Sequence, residues 1–158
     1  MSEPHPPGRF VSGSPEETRA LGERLGRLCA PGAVLALVGD LGAGKTWFTK
    51  GVAAGLGIDP AQVTSPTFVL MNLLQGRLRL AHVDLYRLDA VDLPSLGYYD
   101  VRDLGVVIVE WADKVDGALL GDHLRVVFEH AGESSRRLMF QARGERGAEL
   151  LRAMNLSP

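Results

Sequence analysis

Apolar and polar positions along the chain change period several times, and each change predicts an element. The runs "AVLALVG" (33–39) and "GVVIVEW" (105–111) are apolar almost without interruption, the pattern of strands covered on both faces. Residues 14–29, "SPEETRALGERLGRLC", instead repeat apolar side chains at helical spacing, so Leu21, Leu25 and Leu28 are expected to form one buried face. Ser14 is placed to cap that helix, Pro15 suits its first position, and Glu17 completes a capping box; Pro31 and Gly32 end it. A second helix is expected over 45–56, stopped by Gly57 and Pro60. "TFVLMNLL" and "LRLAHVDLY" read as two strands joined by a hairpin at Gln75 and Gly76. Residues 92–102 are mixed, with room for a short helix. "HLRVVFEH" and "RRLMFQA" predict two late strands around a turn at Ala131 and Gly132, and "ERGAELLRAM" a closing helix. A short strand is expected over 9–12, behind a loose proline-containing tail over 1–8. Strands alternating with helices predict an α/β fold, a single domain over 9–158 with a mostly parallel central sheet flanked by helices.

Composition narrows the class of protein only a little. A length of 158 residues is enough for one domain with a real core. The formal charge of −2 argues against attraction of nucleic acid to the whole surface, while leaving room for a local patch. A single cysteine, Cys29, excludes an internal disulfide. The first residues lack the basic start and apolar core of a signal peptide, and no apolar run approaches the ~20 residues that span a bilayer. The cytoplasm is the expected compartment.

The chemistry begins where the first buried strand ends. Gly39, Gly44, Lys45 and Thr46 fit G-x-x-x-x-G-K-[ST], the phosphate-binding P-loop. Glycines at 39, 42 and 44 let the backbone curl so that successive N–H groups converge on phosphate oxygens, and the positive end of the next helix adds to that field. Leu41, Gly42, Ala43, Gly44, Lys45 and Thr46 are therefore the expected nucleotide-binding residues. Lys45 is expected to reach the β- and γ-phosphates, and the Thr46 hydroxyl to coordinate Mg²⁺. One of only three lysines in the chain stands at the motif position. A P-loop NTPase-like fold follows.

Hydrolysis also needs acid groups beside the metal and the attacking water. Glu110 ends a buried strand, where open α/β sheets bind ligands. Asp84 interrupts another strand-like run. Each has a plainer reading, a solvated strand-end acid or one paired with an arginine such as Arg87. The guanine-reading N-K-x-D element does not occur, which favours ATP over GTP, and the transporter signature "LSGGQ" is also missing.

"GDLGAGKT", "TSPTF" (64–68), "HVDLYRL" (82–88) and "VEW" (109–111), in this order and at these distances, resemble the TsaE family of small bacterial ATPases, formerly called YjeE. The resemblance is strong over 14–110 and weak over the last forty or so residues. It implies an ATPase that associates with the TsaB and TsaD proteins in threonylcarbamoyladenosine synthesis on tRNA, with tRNA itself engaged only through that complex. It also implies that Asp84 and Glu110 belong to the magnesium and catalytic site together with Lys45, and that Thr67 lies on a switch-like segment sensing the γ-phosphate. Trp111 is expected beside the catalytic glutamate, as a motif member or a core tryptophan. His82 is read as structural. Ser12 or Ser14 and the turn near Gly132 are weaker candidates for approaching the adenosine.

One position departs from the family pattern. A second hydroxyl residue commonly follows Thr46, and here Trp47 stands in its place, expected to pack in the first helical turn. Two other classes stay open: a small metabolite kinase, for which Arg136 and Arg137 would have to serve a lid, and a nucleotide-dependent scaffold, which leaves Glu110 without a use. No C-x-x-C or H-x-x-x-H pairing supports a zinc site.

Overall fold

The computed structural model describes residues 6–40, 42–64, 71–85 and 94–157, the side chain of Leu96 excepted. Strands β1 (Gly8–Ser12), β2 (Ala33–Val38), β3 (Met71–Leu74), β4 (Arg79–Asp84), β5 (Gly105–Glu110), β6 (His123–His130) and β7 (Arg136–Arg143) form one sheet in the order β1-β7-β6-β2-β5-β4-β3. The four central strands, β6-β2-β5-β4, run parallel. The expectation of a mostly parallel sheet needs correction at both edges, where β3 pairs antiparallel to β4, β7 to β6 and β1 to β7. The short turns after β3 and β6 dictate the first two of these pairings, because parallel neighbours need a crossover of a dozen or more residues. The first strand starts at Gly8, opposite Phe140, one residue earlier than the sequence pattern suggests.

Helices α1 (Pro15–Leu28), α2 (Lys45–Gly55) and α5 (Gly144–Met154) cover one face of the sheet. The opposite face carries a smaller apolar cluster, built with residues of α3 (Tyr98–Leu104) and α4 (Gly117–Leu120) over β2, β4 and β5. The predicted cap of α1 is present: Ser14 Oγ accepts from the Glu17 N–H, and the Glu17 carboxylate accepts from the Gly13 N–H. Leu21 and Leu25 are buried as expected, whereas Leu28 is 40% exposed. The inward stripe of α1 runs through Thr18, Gly22 and Gly26 instead.

Those glycines let two helix backbones touch. A Cβ at Gly22 would lie 2.3 Å from the Phe48 carbonyl oxygen, and one at Gly26 2.4 Å from that of Val52. From the other side, a Cβ at Gly51 would lie 2.0 Å from the Arg19 carbonyl oxygen, and one at Gly55 2.3 Å from that of Glu23. Both helices place glycine four residues apart, once per turn on one face. No rigid side chain fits between the axes, so α1 clamps α2 along its length. Beneath α2, Phe48 is fully buried and meets Phe128 edge-on at 5.4 Å. The helix that follows the glycine loop is thereby fixed against both the sheet and its neighbour.

The other expected elements are found where they can be described. β3 and β4 are the predicted hairpin, with residues 67–70 and 86–93 outside the described residues. The short helix anticipated within 92–102 is α3, displaced toward the C-terminus; α4 was not anticipated.

Candidate functional site

The register of the parallel strands brings the candidate carboxylates together. Glu110 is the register partner of Leu37 on β2 and of Asp84 on β4, so Leu37, Glu110 and Asp84 form one row across three strands. That row lies at the carboxyl end of the central sheet, and the glycine loop leaves β2 just beyond it. Two acids far apart in sequence are neighbours because β4 and β5 are adjacent.

The loop itself is shaped by glycine. Gly42 (φ 78°) and Gly44 (φ 102°) occupy the left-handed region, which disfavours residues with a Cβ. The Ala43 N–H bonds to the Asp40 carbonyl, and Gly44 caps α2 with no side-chain bond. No acidic residue stands in the first turn of α2. The positive end of the helix therefore keeps its field for a ligand. Leu41 lies outside the described residues, as do Thr67 and Arg87. The Thr46 side chain is exposed at the head of α2.

Lys45 is the centre of the arrangement. It is 6% exposed, its Nζ donates to the Gly39 carbonyl at 2.6 Å, and the same ammonium sits 3.7 Å from the centre of the Trp111 ring. Burial pushes its pKa below the ordinary lysine value, while Glu110 foremost, then Asp84, Asp113 and Asp40, pull it back up. A desolvated cation held by a carbonyl dipole and a π-face is matched to an anion with several oxygens.

Trp111 follows Glu110 directly and adopts φ 59°, ψ 40°, left-handed for a bulky residue. Such strain persists only where the surroundings impose it. Here the turn swings the indole out of the line of β5 and over Lys45. Trp111 is thus part of the site as well as partly packed. Trp47 does not pack as expected: it is 42% exposed, and its ring is 5.8 Å from the Lys50 ammonium.

Glu110 is 5% exposed, and its Oε2 lies 2.5 Å from Nε2 of His82, itself 2% exposed. The sequence reading missed this contact, since the two residues lie on different strands, 28 positions apart in the chain. It also missed what Arg136 touches, having considered that residue only for a lid. Its Nη2 donates to the Gly42 carbonyl at 3.2 Å, and its Nη1 is directed at carbonyls of the 131–135 turn, that of Ser135 at 2.9 Å. The turn near Gly132 is therefore tied to the glycine loop. Arg137, next along β7, lies 3.7 Å from Glu129 on the exposed side of the sheet edge and does not share the contact of Arg136 with the glycine loop. The Ser12 and Ser14 hydroxyls are engaged at the entry to α1, where Thr18 donates to Ser12 and Ser12 donates to the Ser14 carbonyl. Cys29 is buried and its thiol is pushed up to about 12 by desolvation, which keeps it unreactive.

The donors present suit a magnesium-bound polyphosphate. Asp84 and Glu110 offer hard carboxylate oxygens side by side, and the exposed Thr46 hydroxyl stands at the head of α2 with Lys45. Mg²⁺ is usually held by one or two carboxylates together with substrate phosphates, not by an all-protein cage.

Comparison with known proteins gives the family of the chain. Residues 12–138 match the family model described as "Threonylcarbamoyl adenosine biosynthesis protein TsaE". The tRNA threonylcarbamoyladenosine biosynthesis protein TsaE of Bacillus subtilis (strain 168) is 43% identical over 136 residues, 84% of this chain and 84% of the relative. The protein of the same name from Treponema pallidum (strain Nichols) is 44% identical over 113 residues, 70% of this chain and 83% of the relative. The crystal structure of Bacillus subtilis YdiB superposes with a TM-score of 0.80 at 35% identity, covering 98% of this chain and 97% of that one. With the family model spanning most of its length and relatives this similar, the chain belongs to the TsaE family of tRNA threonylcarbamoyladenosine biosynthesis proteins.

Proposed function

We propose that the chain is a magnesium-dependent P-loop ATPase whose nucleotide state controls its attachment to TsaB and TsaD proteins during N6-threonylcarbamoyladenosine formation at adenosine 37 of tRNA. One observation carries this reading: the row of Glu110 and Asp84 ends beside a buried Lys45 at the glycine-lined head of α2. In this reading the backbone of 39–44 cradles the phosphates, Lys45 neutralises the β- and γ-oxygens, and Thr46, Asp84 and Glu110 hold the cation. Magnesium supplies charge neutralisation at the phosphate oxygens when bound. Glu110 orients the attacking water and takes its proton as the bond to ADP breaks. tRNA is met only through the partner proteins, in the cytoplasm and away from any membrane. Among the described residues no helix is long and apolar enough to cross one.

We read the arrangement as favouring water over an organic acceptor, since Arg136 is bonded to the glycine loop and Arg137 faces Glu129. We expect ADP and inorganic phosphate in equal amounts from ATP and water alone, slowly, with no change when nucleosides or sugars are added. Phosphate appearing on an acceptor would identify a kinase instead.

A further inference from the structure

We propose that His82 is a positioning residue for hydrolysis, fixing which oxygen of Glu110 faces the reacting group; this rests on the ATPase reading above. The two side chains are the most closely joined polar pair buried in the described structure, at 2.5 Å and 2% and 5% exposure. An ionised carboxylate only accepts hydrogen bonds, so Nε2 carries the proton and donates, which fixes the tautomer of the ring. The bond occupies Oε2 and assigns Oε1 to the side of the reacting group.

Geometry separates this from mere core satisfaction. The H-x-D spacing puts His82 and Asp84 on one face of β4, and register puts Glu110 beside Asp84 on that same face. One strand thus delivers a carboxylate and the ring that holds its neighbour. His123 shows the structural alternative in the same molecule: it is equally buried, but its Nδ1 donates to the Gly121 main-chain carbonyl. A glutamate at the end of a strand has three side-chain torsions to restrain. An imidazole closed in on the adjacent strand restrains them without blocking the open end of the sheet.

The test compares wild type with His82→Leu, which removes the donor, and His82→Gln, whose amide N–H reaches the place of Nε2. For His82→Leu we expect hydrolysis of ATP by the full chain to slow about 10–100-fold while the Kd for ATP moves less than about threefold, with most of the rate regained in His82→Gln. Full turnover in the leucine variant, equal loss of affinity and rate, or a glutamine variant as slow as a folded leucine variant would each overturn the proposal. A Glu110→Gln control separates the two readings. If it keeps full turnover, the hydrolytic role of Glu110 fails. If it is inactive while His82→Leu turns over normally, only the role of His82 fails. Should the leucine variant not fold, ¹⁵N-histidine NMR of the wild type decides: the account requires a strongly downfield Nε2–H signal that moves upfield in Glu110→Gln. A shared ordinary shift in both proteins would overturn it.

Discussion

Lys45→Ala is expected to reduce ATP hydrolysis by about 10²–10³-fold, the scale seen when one preorganised donor to a developing anion is removed. Among the described residues, the buried ammonium is the one cation placed against the loop, the carboxylate row and the Trp111 ring together. An alanine leaves the β/γ-phosphate charge without its counter-ion in a partly desolvated place, where that charge costs most. It also leaves Glu110 and Asp84 facing phosphate unopposed, so affinity for ATP is expected to fall as well. The fold should persist, because α2 is held by Phe48 and the glycine seam and not by Lys45. Hydrolysis measured with a phosphate-release assay, beside a thermal unfolding curve, checks both parts. A folded variant hydrolysing at the wild-type rate would contradict the assignment of the loop.

The carboxylates should separate binding from chemistry. Glu110→Gln and Asp84→Asn each keep the shape of the side chain and remove one negative charge. ATP binding is expected to be largely retained, since in the proposed reading the loop, Lys45 and the head of α2 supply most contacts to the phosphates. Hydrolysis is expected to fall about 10²–10⁴-fold for Glu110→Gln, the range for losing a positioned base. Asp84→Asn should instead raise the magnesium concentration required. The indole of Trp111 lies on the Lys45 ammonium, so its fluorescence offers a binding signal that does not depend on turnover. Full activity in both variants would contradict a two-carboxylate site.

How much of this was legible in the sequence follows from range. The glycine loop was legible because its chemistry is local: a buried strand, three glycines, a lysine and a hydroxyl in contiguous order. The α1 cap and the strands were legible for the same reason. Glu110 and Asp84 could be suspected as acids at strand ends, but their adjacency depends on β4 and β5 being neighbours, which neither run encodes alone. The His82 bond is a further step removed, a diagonal contact across that pairing. Leu28 and Trp47 misled because apolar spacing shows which positions could be buried, not what covers them. The part of the inner stripe of α1 that meets α2 includes Gly22 and Gly26, which carry no apolar signal; their G-x-x-x-G spacing, matched at 51 and 55, was the available clue. The left-handed Trp111 had no signal at all, since bulky residues rarely adopt that conformation.

The central claim, that nucleotide state governs attachment to the partner proteins, is tested most directly by calorimetric titration of this chain into a TsaB–TsaD complex. The titration is run with a non-hydrolysable ATP analogue and again with ADP, both with magnesium. The account predicts binding at least about tenfold tighter in the ATP state, a coupling of about 1.4 kcal/mol, and by linkage an equal gain in ATP affinity when the partners are present. Equal affinity in the two states would contradict it.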